Sequence, residues 1–184
     1  GQSDIGEYVT PLLGRIGALA GATETVIGGQ QNASTELRTV LENQLKPLRM
    51  TFGDRISIEG PSVTVNSEAA QQIGLAAHEL ATNTQKHGSL AKGTSDLSVS
   101  WHRLGSGREQ EFVFEWSEPY RADASPNEPL SSGFGDVLLT KIVPAMLQGT
   151  AERVIEDDRL IYMLRIPAMT LAEDTSTTAD AMMA

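Results

Sequence analysis

The most informative stretch of this sequence is His78-Glu79-Leu80-Ala81-Thr82-Asn83-Thr84-Gln85-Lys86-His87-Gly88. It predicts one helix, because small and apolar residues recur in it at helical spacing. Glu79, Asn83, Lys86 and His87 follow one another at short intervals, so all four project from one side of that helix. The opposite stripe is small or apolar and suits packing on a sheet: Ile73, Ala76, Ala77, Leu80, Ala81 and Thr84.

The polar side of this helix carries groups that can hold a metal-bound polyphosphate. Asn83 and Glu79 offer oxygens to Mg²⁺, and Lys86 offers positive charge to phosphate. An ordinary solvated face of an amphipathic helix has the same spacing. The neighbouring sequence must therefore decide between a binding face and a solvent face.

Composition excludes several classes of function. The 184 residues carry a formal net charge of -10 and contain no cysteine. Binding to the phosphate backbone of nucleic acid needs clusters of Lys and Arg, and the chain has no basic run. Disulfides and thiolate metal sites are impossible, and the three histidines lack the spacing of a zinc site.

The amino terminus and the apolar runs indicate a cytoplasmic domain without membrane contact. No apolar run approaches the roughly 20 residues that cross a bilayer, and no signal peptide is visible. The chain begins with Gly1 rather than Met, as an excised fragment would. Function is therefore expected to depend on parts of a longer protein.

Two amphipathic helices are predicted before residue 50. The first spans residues 5–27 and ends at Gly28-Gly29, and the second begins at about Ser34, a plausible N-cap. Two helices joined by a short turn indicate a helical hairpin or part of a bundle. Their apolar stripes are explained by packing alone.

After residue 50 the pattern changes to strands and helices mixed. Alternating residues predict strands at 55–59, 63–65, 97–101, 112–116, 151–156 and 160–166. One helix is predicted from about Ser67, and another is opened by Gly133-Phe134-Gly135 and ended by Gly149; residues 119–132 are predicted to form a long loop. Residues 169–184 are predicted to be a disordered tail. The order indicates an α+β sandwich with helices on one face of a sheet.

Two further motifs carry possible chemistry. Trp116-Ser117-Glu118 ends a strand, where a carboxylate can accept a hydrogen bond from the amine of adenine. Gly133-Phe134-Gly135 opens a helix, where backbone N–H groups can approach an anion. Taken singly, an exposed Glu at a strand end or a lone Gly-x-Gly is weak evidence.

In this order, the three motifs resemble the ATP-binding domain of bacterial sensor histidine kinases. More narrowly they resemble the HWE subfamily, named for a His in the first motif and Trp-x-Glu in the second. The resemblance covers about residues 4–167, and Arg55-Ile-Ser-Ile-Glu-Gly-Pro61 also resembles the strand pair before the first motif. It implies a Bergerat-type two-layer α/β sandwich at 51–168, and a remnant of the dimerisation and phosphotransfer hairpin at 1–50.

The resemblance also implies roles for individual residues. Asn83 would bind Mg²⁺ with Glu79 beside it, and Lys86 would face phosphate; these three are the candidate catalytic residues. Glu118 would read adenine, and residues 119–132 would be a mobile lid. The other expected nucleotide-binding residues are His87, Gly133, Phe134, Gly135 and Leu138. His78 is the subfamily's marker, without a catalytic role that the residues themselves indicate.

Two departures from the family pattern leave alternatives open. Pro119-Tyr120-Arg121 replaces a Gly-Gly-Pro-like segment, which allows a kinase-like signalling module that no longer binds ATP. The phosphoacceptor motif, His-Arg-x-Lys-Asn-like, is missing, so the acceptor His is expected outside this chain. A histidine phosphotransfer protein or another ATPase of the superfamily is a further alternative.

The resemblance finally implies partners. They are a response regulator that receives phosphate on an aspartate, an upstream sensor domain, and a second copy of the chain bound through the amino-terminal helices.

Overall fold

A computed structural model describes residues 34–87, 90, 96–120 and 134–171. All of these residues belong to one compact unit that begins at Ser34. The predicted helix at 5–27, the loop after Tyr120, Gly133 and the tail beyond Leu171 lie outside the described residues, as does the side chain of His87. No helix in the described ranges is both long and apolar enough to cross a bilayer.

Helices and strands alternate as the sequence predicts. The helices are α1 (Leu37–Phe52), α2 (Ser67–His87) and α3, which joins the α-helical turns Phe134–Val137 and Val143–Met146 through a π-helical segment, Leu138–Ile142. The strands are β1 (Thr35–Glu36), β2 (Ile56–Glu59), β3 (Thr64–Val65), β4 (Leu97–Leu104), β5 (Glu111–Pro119), β6 (Thr150–Glu156) and β7 (Arg159–Pro167). Short 3₁₀ turns occupy Gly53–Arg55, Gly107–Glu109 and Ala168–Leu171.

Five strands form one mixed sheet in the order β2-β4-β5-β7-β6. Only β2 and β4 run parallel; the other neighbours are antiparallel. Alternate residues of the three central strands are buried on one face, because side chains of a strand point to opposite sides. That inner face carries Leu97, Val99, Trp101, Phe112, Phe114, Trp116, Leu160, Tyr162, Leu164 and Ile166. The helices cover it, which confirms the predicted α+β sandwich.

Helix α2 begins where Asn66 caps it. The side-chain Oδ1 of Asn66 accepts a hydrogen bond from the backbone N–H of Ala69 at 2.8 Å, which satisfies one of the unpaired donors of the first turn. The predicted apolar stripe is confirmed, since all six of its residues are buried. Because this stripe is buried, the polar side of α2 faces away from the core.

Helix α1 starts later than the sequence predicts, and Ser34 is not its N-cap. Thr35 and Glu36 are extended, because they pair with Val65 and Thr64 in a two-stranded antiparallel ribbon. Helical backbone therefore begins only at Leu37, and Glu36 occupies the cap position without a side-chain hydrogen bond to the helix. The helix contacts α2, so it belongs to the same compact unit as the sheet.

Helix α3 is widened in its middle. The N–H of Val143 donates to the carbonyl of Leu138, five residues back, as in a π-helix. Pro144 has no N–H to give to the preceding turn, and the hydroxyl of Tyr162 instead donates to the Leu139 carbonyl at 3.0 Å. Burial raises the pKa of Tyr162 above its usual range, so this hydroxyl keeps its proton.

Candidate functional site

Helix α2 and the start of helix α3 meet closely at Gly135. A Cβ atom added to Gly135 would lie 3.2 Å from Oε2 of Glu79 and 3.9 Å from Nδ2 of Asn83. The two polar side chains of α2 therefore face the glycine motif across a gap that admits little more than backbone. This contact joins two motifs that lie far apart in the sequence.

Glu118 brings the third motif to the same helix. Its Oε2 lies 2.6 Å from Oγ1 of Thr84. Both residues are only 3% exposed, so the alternative that Glu118 is an ordinary exposed Glu at a strand end is wrong. The reason is that β5 continues through Pro119, which leaves Glu118 inside the sheet, on the same face as Trp116 and opposite Leu160 of β7.

The backbone after Glu118 is held by the turn between β6 and β7. The N–H of Tyr120 donates to the carbonyl of Asp158 at 2.8 Å. Asp157 and Asp158 both have positive φ, a conformation that Asp tolerates better than most residues do in tight turns. The segment that replaces the family's glycines thus continues the sheet for one residue beyond Glu118.

Burial governs the charge of Glu118. Loss of water around the carboxyl raises its pKa from 4.5 to about 7. The Thr84 hydroxyl, the indole N–H of Trp116 and the cations Arg153 and Arg159 lower this pKa without cancelling the effect of burial. The Trp116 N–H is buried and completes no well-aligned hydrogen bond with a described residue, so its influence comes from proximity.

Arg153 and Asp136 tie the first turn of α3 to the edge strand β6. Nη1 of Arg153 lies 3.4 Å from Oδ1 of Asp136. Arg153 pairs in register with Tyr162, so it lies on the inner face of the sheet. Its side chain is largely buried, and its charge favours the ionised form of Glu118.

The remaining candidate residues are distributed around this centre. Lys86 is exposed on α2, one turn beyond Asn83. Phe134, the first residue of α3, is partly exposed, and Leu138 in the same helix is buried. Gly133 and the side chain of His87 lie outside the described residues. His78 is exposed on α2.

The residues present fit Mg²⁺ delivered with a polyphosphate. In the described ranges no three His, Asp or Glu side chains form a cluster that could hold a metal alone. Magnesium characteristically uses one or two protein oxygens and completes its coordination with waters and phosphates. Glu79 and Asn83, next to the backbone of Gly135, match that requirement.

Sequence reasoning misses three contributors to the site. The periodicity places Thr84 in the apolar stripe, and its burial is correct, but its contact with Glu118 is not foreseen. A hydroxyl in an otherwise apolar stripe needs a buried partner, and that signal is present in the sequence. Arg153 and Asp136 give no comparable signal, because their pairing depends on how α3 crosses the sheet.

Comparison with known proteins finds similarity to histidine kinases. The profile of the HWE histidine kinase family matches residues 1–62. A blue-light-activated histidine kinase of Rhizobium johnstonii is 29% identical, over 88% of this chain and 44% of the relative. The chain is thus similar to HWE histidine kinases. A second relative, blue-light-activated histidine kinase 1 of Erythrobacter litoralis, is 28% identical over 83% of the chain and 41% of the relative.

Solved structures of histidine kinases share the fold of this chain. The histidine kinase domain of the Erythrobacter litoralis EL346 blue-light-activated kinase superposes with a TM-score of 0.57 and 16% identity, over 84% of this chain and 74% of that one. The Acinetobacter baumannii histidine kinase AdeS gives a TM-score of 0.52 at 12% identity, over 88% of this chain and 79% of that one. The chain spans less than half the length of these two curated relatives.

Proposed function

We propose that this chain is the ATP-binding catalytic portion of a sensor histidine kinase. In the longer protein it transfers the γ-phosphoryl group of Mg-ATP to a histidine, from which the group passes to an aspartate of a response regulator. Phosphoryl transfer of this kind asks for positioning and charge neutralisation rather than covalent catalysis by the protein. A site with an amide, an acid and an amine on one helix suits that demand.

The observation that carries this proposal is the meeting of three motifs on α2. Glu79 and Asn83 face Gly135, and Thr84, the residue after Asn83, contacts Glu118. One end of the site therefore offers oxygens and backbone to a phosphate chain, and the other offers a carboxyl group to a base. A merely solvated helix face would not bring the glycine at a helix start against its polar residues, and the buried stripe of the same helix places Thr84 against a buried acid.

Each residue has a separate part in this proposal. Asn83 and Glu79 supply oxygen ligands for Mg²⁺, which neutralises charge on the transferred phosphoryl group when it is bound. Lys86 supplies a mobile positive charge to the phosphates. The backbone at Gly135 approaches the polyphosphate at the start of a helix, where N–H groups are unpaired. Glu118 accepts a hydrogen bond from the purine amine.

Asn83→Ala tests the metal assignment directly. Calorimetric titration of ATP into the whole chain, with and without Mg²⁺, should show Mg²⁺ strengthening binding to the unaltered protein. In Asn83→Ala that gain should disappear, which lowers affinity in Mg²⁺ by about tenfold or more, because a ligand oxygen is lost. Affinity measured without Mg²⁺ should change little.

Gln71→Ala is the matched control, since Gln71 is exposed on the same helix, about three turns earlier. It should leave both titrations unchanged. Equal Mg²⁺ dependence in Asn83→Ala and in the unaltered chain would contradict the role of Asn83. Absence of ATP binding by the unaltered chain at millimolar nucleotide would contradict the proposed function itself.

A second candidate function is a kinase-like signalling module that binds no nucleotide. The observation that favours it is the extension of β5 through Pro119 and the bond from Tyr120 to Asp158. These place an ordered strand where the family has glycines. The same titration separates the two functions, since this module would take up no ATP with or without Mg²⁺.

The partners and location belong to the proposal as well. The acceptor histidine, the response regulator and a sensor domain are expected outside this chain, and the kinase is expected to act as a dimer. A cytoplasmic location follows from the need for ATP. Phosphorylation of the longer protein with labelled ATP, followed by transfer to a candidate regulator, would test the partner assignment.

A further inference from the structure

We propose that Thr84 is a positioning residue whose hydroxyl shares a proton with Glu118, and that this pair couples nucleotide binding to the protonation of the carboxyl group. The inference rests on the proposed function, because Glu118 is taken to meet the base. The roles proposed above for the three motifs include neither Thr84 nor a link between nucleotide binding and proton release.

The hydrogen-bond geometry around Thr84 supports a shared proton. Oγ1 of Thr84 lies 2.6 Å from Oε2 of Glu118 and 3.0 Å from the carbonyl oxygen of Leu80, one turn earlier in α2. Both neighbours accept when the carboxyl is ionised, and a hydroxyl has one hydrogen to donate. One hydrogen cannot be donated in full to both acceptors, whereas both contacts are satisfied if Glu118 holds a proton and donates it to Thr84, which then donates to Leu80.

The surroundings allow a second, ionised state of the same pair. Ionisation turns the Thr84 hydroxyl towards Glu118, while the Leu80 carbonyl keeps its place in the helix. The buried indole N–H of Trp116 lies close enough to favour the charged form. Both carboxyl and hydroxyl are shielded from water, so the protein groups decide between the two states.

Charged groups around the pair come from several elements. Arg153 of β6 and Arg159 of β7 both favour ionisation of Glu118. Arg153 is partly neutralised by Asp136 of α3, and Nε of Arg159 donates to Oγ of Ser117 at 2.6 Å. On α2 itself, the charged residues Glu79 and Lys86 lie on the polar side, away from the buried stripe that contains Thr84.

Nucleotide binding should favour the ionised state. The purine amine donates a hydrogen bond, and a bond to a charged acceptor is stronger than a bond to a neutral one. Binding near neutral pH therefore releases a proton from Glu118, and affinity rises with pH until the carboxyl is fully ionised. Without the Thr84 hydroxyl, the ionised form loses a donor and the rise should occur at higher pH.

The experiment measures ATP affinity of the whole chain from about pH 6 to 8.5 in Mg²⁺, a range that brackets the ionisation of Glu118. Three versions are compared: unaltered protein, Thr84→Val and Thr84→Ser, each also with Glu118→Gln. For each version, the pH dependence of ATP affinity in the corresponding Glu118→Gln protein is subtracted. This removes the contribution from titration of the ATP phosphates. We expect the midpoint of the remaining pH dependence to move upward by about one pH unit in Thr84→Val and to return in Thr84→Ser.

A second readout works without nucleotide. The carboxyl carbon of Glu118 is titrated by ¹³C NMR in the same proteins, with Thr84→Ala as a substitute if Thr84→Val does not fold. An upward move of the midpoint in Thr84→Val or Thr84→Ala, restored in Thr84→Ser, supports the shared proton. An equal midpoint in all versions overturns it.

The outcomes separate this inference from the proposed function. ATP binding with a pH dependence that is unaffected by Thr84→Val overturns the linkage and leaves the kinase proposal standing. Absence of ATP binding overturns the proposed function and the linkage to nucleotide. The NMR titration then still decides whether Thr84 and Glu118 share a proton.

Discussion

Glu118 carries an ionisable carboxyl group at a buried position of the fold. A carboxyl group with 3% exposure loses most of its hydration, and the hydroxyl of one threonine returns only part of that. Buried acids that are kept in this state are commonly found at functional sites. This burial has a measurable effect on stability.

Glu118→Gln should remove a pH dependence of folding. The folded-state pKa of Glu118 is raised from 4.5 to about 7, so the folded protein binds more protons than the unfolded chain between those values. Stability from this group is therefore greatest below pH 4.5 and falls as pH rises to about 7. The loss should be at most about 3 kcal/mol. The amide introduced by the substitution stays neutral throughout this range.

Urea unfolding at about pH 5 and pH 8 measures this effect as a difference between the two proteins. Stability of Glu118→Gln relative to the unaltered chain should increase from the lower to the higher pH. The subtraction cancels the titration of all other carboxyl groups. A constant difference between the two pH values would show that Glu118 has the same pKa in the folded and the unfolded protein.

The start of helix α3 lies close to helix α2. Its first turn brings the backbone at Gly135 to Glu79 and Asn83, and Arg153 holds Asp136 in the same turn. The π-helical segment that follows shifts the phase of the helix. The first turn leaves Phe134 and Val137 partly exposed, and the segment after it is buried at Leu138 and Leu139.

Gly135→Ala should weaken nucleotide binding without weakening the fold. The new Cβ would lie 3.2 Å from Oε2 of Glu79, a tight contact that pushes this carboxylate away from Gly135. We expect ATP affinity in Mg²⁺ to fall by about tenfold. Thermal unfolding should be unchanged or slightly higher, since Ala is the better helix former.

Val137→Ala is the control for this element, since Val137 lies in the same turn and is not part of the proposed site. It should retain ATP affinity. Full affinity in Gly135→Ala would mean that the nucleotide does not use this side of Glu79.

At the scale of the element, periodicity in the sequence predicts the helices and strands whose buried residues recur at regular spacing. The α2 stripe and the alternation in β7 are long and regular, so their existence and their buried faces follow from pattern. Two residues of β1 are too few to show a period, and they displace the predicted N-cap at Ser34. The π-helical segment depends on Pro144 and on a hydroxyl from β7, which is a tertiary contact that no local pattern reports.

In the candidate site, too, the sequence predicts some residues, and others depend on tertiary contacts. Glu79, Asn83 and Gly135 are predictable because their residue types and order match a family, and the structure brings these three together. The burial of Glu118 is not predictable, because a strand end cannot be located to one residue from alternation alone. The partner of Thr84 becomes visible only when α2 is packed on β5.

At the scale of the whole molecule, α1 is part of the sandwich. Arg38 of α1 donates from Nη1 to the Ile58 carbonyl at 2.8 Å and from Nη2 to the Gly60 carbonyl at 3.1 Å. Its guanidinium carbon lies 5.2 Å from the ring centroid of Trp101. Gly60 admits no side chain here, since a Cβ would overlap that ring.

Arg38→Lys should therefore destabilise the entire unit. Lysine keeps the charge but cannot reach two carbonyls at once while lying over an aromatic ring. Urea unfolding followed by the fluorescence of the buried tryptophans should show a loss of about 1–2 kcal/mol.

Arg49→Lys is the matched control, because Arg49 is exposed on the same helix. It should unfold like the unaltered chain. Equal stability of Arg38→Lys would mean that α1 contributes little to the folding of the sheet, in agreement with a boundary near residue 50 instead of Ser34.

Asn83 and Thr84 are consecutive residues of one rigid rod, about 1.5 Å apart along its axis. In the proposed site, a shift or rotation of α2 that moves Asn83 relative to the phosphates would also move Thr84 relative to Glu118. The proposal therefore implies that metal affinity and purine selectivity change together when a distant event displaces this helix.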